Sequence, residues 1–138
     1  MTQFILVRHA NPDYSECEKK GISKNDAPLS QLGVQQARRL SSDPIFNGAE
    51  VLLSSPFRRA KETAMHISIG RDLPIIEEYD LRRSNLNLEM LKTRKSAKAV
   101  LGKYLNYSKV IVVTHAEVVL LLTGKWLDQG KYMIVEYC

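Results

Sequence analysis

The stretch Val110-Ile111-Val112-Val113 constrains the fold most strongly. Four consecutive apolar residues, three of them valine, suit a strand buried on both faces, because a half-exposed strand would alternate apolar with polar residues. Shorter apolar runs repeat the theme at Phe4 to Val7, Val51 to Leu53 and Pro74 to Ile76. Segments with helical spacing lie between them. Ser30 suits an N-cap, and Leu32, Val34, Ala37 and Leu40 form the inner stripe of a helix over Gln31 to Ser42. Ser54-Ser55-Pro56 opens a second helix with Pro56 at its first position and Phe57, Ala60, Ala64 and Ile67 inside, ending near Gly70. Leu88, Leu91, Val100, Leu101, Tyr104 and Leu105 mark a lysine-rich helix over much of Leu88 to Leu105. Ala116 to Leu122 reads as a further helix and Tyr132 to Tyr137 as a last strand. Asn11 to Pro28, polar and containing Pro12, Gly21 and Pro28, reads as a loop, and Asp80 to Asn87 follows no clear pattern.

Strands and helices therefore alternate. This predicts an α/β three-layer sandwich, with a mainly parallel central sheet and helices on both faces. A chain of 138 residues fits a single domain, 1-138. Cys17 and Cys138 form neither a disulfide framework nor a metal-ligand spacing, and two thiols without a secretory pattern at the N-terminus point to the cytoplasm. Val110 to Leu122, the most apolar later stretch, contains His115 and Glu117 and is too short and polar to span a bilayer. The net charge of +5 favours an anionic partner. A nucleic-acid reading rests on that charge alone, since the aromatic residues do not interleave with the basic ones in a stacking pattern.

In parallel sheets, ligands bind beyond the carboxyl ends of the strands. Arg8 and His9 follow the first strand, Arg58 and Arg59 start the helix after the second, and His115 follows the Val110–Val113 strand. If these strands are neighbours, the residues share one rim. Arginine pairs bidentately with phosphate oxygens, and a neutral imidazole can attack phosphorus and hold it covalently. Taken singly, each residue also suits a structural role: an ion pair, a solvated helix position or a hydrogen-bonded core histidine. The joint order and spacing carry the functional reading.

Four segments resemble one family. Phe4-Ile5-Leu6-Val7-Arg8-His9-Ala10 resembles the signature of the histidine phosphatase, or phosphoglycerate mutase-like, superfamily, with Ala10 where glycine is usual. Asp26 to Ala37 is similar to the family's first-helix entry, and Ser54 to Ala64 to its second-arginine motif, which selects Arg59 over Arg58. Val112-Val113-Thr114-His115-Ala116 resembles the second-histidine motif. The resemblance implies a phosphoglycerate mutase-like fold and a metal-independent hydrolase without cofactor. His9 would be the phosphorylated nucleophile, and Arg8, Arg59 and His115 would bind the phosphoryl group. Ser15 stands where relatives often carry a phosphate-binding asparagine, and it suits an ordinary loop serine equally well.

One departure bears on mechanism. Relatives place a glutamate in a Leu-x-Glu step after the third strand, and here the step is Leu81-Arg82-Arg83. Loss of a general acid typically costs about 10²–10⁴ in rate. Glu78, Asp80 and Glu117 are candidate substitutes, and Glu89 is a more distant one; each also reads as a plain surface carboxylate. The short segment between Leu81 and Val110 implies an open site, which suits a phosphorylated small molecule or a phosphoprotein. The leading expectation is a phosphomonoesterase, and the alternative is a catalytically weakened phosphate-binding or regulatory member of the same fold. A mutase, which needs covered substrates and an acid, is the least favoured reading.

Overall fold

The apolar runs become strands somewhat longer than their apolar cores. The computed structural model describes residues 1–83 and 90–137. Its elements are β1 (Thr2–Arg8), α1 (Cys17–Lys20), α2 (Gln31–Ser41), β2 (Val51–Ser54), α3 (Arg58–Ser68), β3 (Ile75–Glu77), α4 (Met90–Gly102), β4 (Lys109–Thr114), α5 (Ala116–Thr123) and β5 (Tyr132–Tyr137). Leu88 and Glu89, expected at or near a helix start, and Cys138 lie outside the described residues.

The sheet order is β3-β2-β4-β1-β5. β4 lies between β1 and β2, and all three are parallel, as is the short edge strand β3. β5 pairs antiparallel with β1. The backbone explains that reversal. Gly130 N–H donates to the Arg8 and His9 carbonyls, so the chain enters β5 beside the carboxyl end of β1 and can only run back.

Strand alternation divides the core in two. Phe4, Leu6, Val51, Leu53, Val110 and Val112 pack with Ala97, Val100 and Leu101 of α4 and Val118, Val119 and Leu122 of α5. Ile5, Val7, Leu52, Ile111 and Val113 face the other way, against Ala60, Ala64 and Ile67 of α3 and Leu40 of α2. This is the expected three-layer α/β sandwich, and the burial of Val110 to Val113 on both faces explains why that run lacks polar alternation.

Local chemistry moves several boundaries. The Asn11 to Pro28 segment is not wholly irregular, since it holds α1 and a 3₁₀ turn over Lys24–Asp26. The Ser23 side chain accepts from Asn25 N–H and caps that turn, and Gly21 ends α1 in the left-handed region at φ 63°. Pro56 does not begin α3. The Ser55 hydroxyl accepts from Phe57 N–H at 3.3 Å, Phe57 stays extended, and the helix starts at Arg58. α4 ends at Gly102, and Lys103 and Tyr104 N–H donate to the Val100 and Leu101 carbonyls, tightening the chain into turns. Tyr79–Leu81 forms a 3₁₀ turn that overlaps the start of the Asp80 to Asn87 segment, which had no clear pattern. Among the described residues no helix is long and apolar enough to cross a membrane, and the apolar stretch Val110 to Leu122 is divided between β4 and α5 at His115.

Candidate active site

Parallel pairing extends one step past the strands and sets the site. His9 N–H donates to the Thr114 carbonyl at 3.0 Å, and Ser55 N–H donates to the Val113 carbonyl at 3.0 Å. Arg8-His9, Ser54-Ser55 and Thr114-His115 therefore stand side by side on one rim, with His115 in the middle. The His9 and His115 rings lie edge to face, 5.0 Å between centroids. Arg59, in the first turn of α3, reaches the same point, with its Nε 3.3 Å from His9 Nε2. Arg59 is 2% exposed, whereas Arg58 points outward and binds Glu62 Oε2 at 2.6 Å. Adjacent residues on one helix turn thus have opposite environments, and Arg59 is the one in the site.

Hydrogen bonding settles the His9 tautomer. His9 Nδ1 is 2.8 Å from the Ala10 carbonyl, which can only accept, so Nδ1 carries the hydrogen and Nε2 keeps its lone pair. Arg59 Nε donates to that lone pair. Burial, assisted by the charges of Arg59, Arg8 and Arg83, lowers the His9 pKa to about 4. His115 is pushed well below the ordinary histidine value, chiefly by burial and then by His9 and Arg59. Both rings are neutral near pH 7. His115 Nε2 lies 2.9 Å from the Ser55 hydroxyl.

Among the described residues, the two buried side-chain nitrogens without a hydrogen-bond partner are Arg8 Nε and His115 Nδ1. Buried polar groups are normally bonded, and an unbonded one costs about 1–3 kcal/mol. Two such groups on a single rim, beside Arg59, suit an anion rich in acceptor oxygens. Arg8 is otherwise held by the Leu127 carbonyl at 3.2 Å and lies 5.3 Å from the Trp126 ring centre. Arg59 Nη1 contacts Asn25 Oδ1 at 3.3 Å, so the turn at Lys24–Asp26 helps position it. No three His, Cys, Asp or Glu side chains among the described residues gather as metal ligands would.

Arg8, His9, Arg59 and His115 are thus brought together, and Ser15 is not placed with them. Ser15 is exposed, and its N–H donates to Asp13 Oδ1 at 2.9 Å. Of the candidate acids, Glu78 is tied to Lys103, whose Nζ lies 2.7 Å from both carboxylate oxygens, and Asp80 is exposed. Glu117 forms an ion pair with Arg83 at 3.1 Å, and Arg83 is near enough for its charge to depress the pKa of both His9 and His115. Sequence reasoning overlooked Ser55 as a partner of His115, because Ser54-Ser55-Pro56 also reads as a helix opening. It also overlooked Thr63, which accepts from Ala10 N–H at 3.0 Å and fixes the loop after His9. Thr63 lies one helical turn beyond Arg59, a spacing that offered a signal.

The family model described as histidine phosphatase superfamily (branch 1) matches residues 4–107. The chain belongs to that superfamily. An uncharacterized phosphatase, PhoE, from Bacillus subtilis (strain 168) is 35% identical over 82 residues, which is 59% of this chain and 42% of that protein. Phosphoserine phosphatase 1 from Hydrogenobacter thermophilus (strain DSM 6534 / IAM 12695 / TK-6) is 33% identical over 79 residues, 56% of this chain and 36% of that protein. The matched regions span about two fifths of the length of such curated relatives. Solved structures share the whole fold of this superfamily member. A mycobacterial glucosyl-3-phosphoglycerate phosphatase complexed with VO3 superposes with a TM-score of 0.81 at 14% identity, covering 99% of this chain and 91% of that one. A phosphoserine phosphatase from Entamoeba histolytica gives a TM-score of 0.72 at 18% identity, covering 97% and 90%.

Proposed function

We propose that this protein is a metal-independent phosphatase that hydrolyses phosphomonoesters, on a small molecule or a phosphoprotein, through a phosphohistidine on His9. The observation that carries the reading is the pair of unbonded buried nitrogens, Arg8 Nε and His115 Nδ1, beside a neutral histidine whose Nε2 keeps its lone pair and accepts from Arg59 Nε at the same rim. His9 Nε2 attacks phosphorus as the ester oxygen leaves. Arg8 and Arg59 then neutralise charge on the equatorial oxygens, His115 donates from Nδ1 while Nε2 accepts from Ser55, and water afterwards releases phosphate from His9. The shared fold of a phosphatase that takes VO3, and relatives named phosphatases, support this chemistry. Cys17, a buried free thiol, suits a reducing compartment such as the cytoplasm.

The test is multiple-turnover hydrolysis of para-nitrophenyl phosphate without added metal. Wild type is expected to turn over, and His9→Ala to lose turnover completely. Unchanged activity in His9→Ala sinks the assignment. Vanadate binding without turnover in the wild type favours instead a weakened, phosphate-binding member of the family, the reading prompted by Arg83 at the usual acid position.

A further inference from the structure

We infer that the site takes an aryl phosphate, the chemistry of a phosphotyrosyl group, with the aromatic leaving group seated against Trp126 and Tyr14; this rests on the phosphohistidine reading above. Three rings from three separate parts of the chain stand around the groups that face the phosphate. Trp126 lies in the connection between α5 and β5, and its ring centre is 5.3 Å from the Arg8 guanidinium carbon. The carbonyl of the next residue, Leu127, accepts from Arg8 Nη1 at 3.2 Å and ties that connection to the rim. Phe57, in the extended step before α3, lies 5.2 Å from the Arg59 guanidinium carbon and 5.4 Å from the His115 ring. Tyr14 comes from the segment after β1. Lys24 Nζ is 5.8 Å from its ring centre, and the Lys24 carbonyl accepts from Arg59 Nη1 at 3.4 Å.

Exposure separates the three rings. Phe57 is half-buried and walls the site behind Arg59 and His115. Trp126 is 56% exposed and Tyr14 40%. An exposed ring alone means little, but these two stand beside the two phosphate-binding arginines from distant parts of the chain. Attack and departure at phosphorus are roughly in line, and His9 is buried at the floor of the site. The ester substituent therefore emerges opposite His9, on the solvent side, where these rings are open. An aromatic substituent gains offset or edge-to-face contact there that an alkyl chain does not.

The chemistry of departure favours the same substrates independently. The Leu81-Arg82-Arg83 step reaches the rim, since Thr114 Oγ1 donates to the Leu81 carbonyl at 2.7 Å. It brings an arginine, whose Nε is 3.1 Å from Glu117 Oε1, rather than an acid. A phenolic oxygen leaves as an anion far more readily than an alkyl one, so it tolerates that arrangement. The step balances without a proton donor from the protein. The His9 Nε2–P bond forms as the P–O bond breaks, and the phenolate departs with the electron pair and takes a proton from water. A second water then attacks phosphorus, and the P–N bond breaks to return neutral His9 and inorganic phosphate.

Phosphotyrosine and phosphoserine, assayed as free amino acids and within one peptide sequence, test this. Wild-type kcat/KM is expected to favour phosphotyrosine by at least about 10². Trp126→Ala and Tyr14→Ala should each raise KM for phosphotyrosine by about threefold to tenfold, leave KM for phosphoserine and both kcat values little changed, and be rescued by Trp126→Phe and Tyr14→Phe. Trp126 is the chain's one tryptophan, so its fluorescence reports contact directly. In inactive His9→Ala, phosphotyrosine should change that emission more at saturation than phosphoserine does. A gain for the phosphotyrosyl peptide over the free amino acid assigns the ring to a protein substrate, and no gain assigns it to a small aryl phosphate. A wild type that prefers phosphoserine, equal KM changes on both substrates, or variants with unchanged KM for phosphotyrosine would each overturn the inference. A wild type inert toward these substrates and toward para-nitrophenyl phosphate would instead remove the phosphohistidine reading, and equal fluorescence changes with both ligands would then overturn the aromatic seat as well.

Discussion

His9 combines two properties that pull against stability. It is 5% exposed, and it sits among cations, so protonating it in the folded chain is unfavourable. An unfolded histidine takes its proton near pH 6.5, and the folded one near 4. Between those values the unfolded chain binds more protons, so stability falls as pH drops through that window. The gap between 6.5 and about 4 amounts to about 3 kcal/mol from this one residue. His9→Gln, which carries no titrating ring, should lose less stability than wild type between pH 7 and pH 4.5. Urea midpoints at the two pH values check this, and identical pH dependence in both proteins would contradict it. The His9 imidazole is thus kept neutral mainly by burial, and only secondarily by the neighbouring arginines that the sequence made visible.

Among the elements, α2 clamps the loop after His9 beside the Thr63 contact from α3. Ser30 caps the helix through Gly33 N–H at 3.0 Å, and its hydroxyl also donates to Asn11 Oδ1 at 2.6 Å. Gln36 Oε1 accepts from Asn11 N–H at 2.9 Å. Gly33 lies so close to the Asn11 backbone that a Cβ there would overlap the Asn11 carbonyl oxygen. The glycine is required by this close approach of helix and loop, not by its own dihedral angles. Gly33→Ala must push α2 or the His9 loop aside. The expected cost is about 1–3 kcal/mol, comparable to overpacking, with a fall in kcat for para-nitrophenyl phosphate. A thermal melt together with the turnover assay checks both. The Ser30 cap was readable from sequence, because an N-cap depends on residues three apart. The partnership of Gly33 with Asn11 was not, because it joins residues from separate elements.

For the molecule as a whole, β4 is the central strand. It separates the two core layers and lies between the strands that carry His9 and Ser55. Ile111 is fully buried at its centre, so Ile111→Ala is expected to cost about 2–5 kcal/mol by a chemical denaturation curve, and near-neutral stability would show that the layer relaxes around the cavity. The unbroken apolar run in β4 and the alternating elements were enough to set the fold class, because burial on both faces leaves a local signature. Arg8, His9, Arg59 and His115 were likewise legible, since each follows a strand or starts a helix at the predicted rim. Ser15 was not placed with them. Its candidacy came from a position in a motif, and the Asn11–Pro28 segment folds into turns of its own that put Asn25, not Ser15, beside Arg59. The sequence by itself determined the layers and which side chains could meet at one rim, because both follow from local periodicity and the ends of strands. Only the tertiary structure decided the His9 tautomer, which depends on how the chain turns at Ala10, and the pairings of Ser55 with His115 and of Arg83 with Glu117, which join residues far apart in the chain.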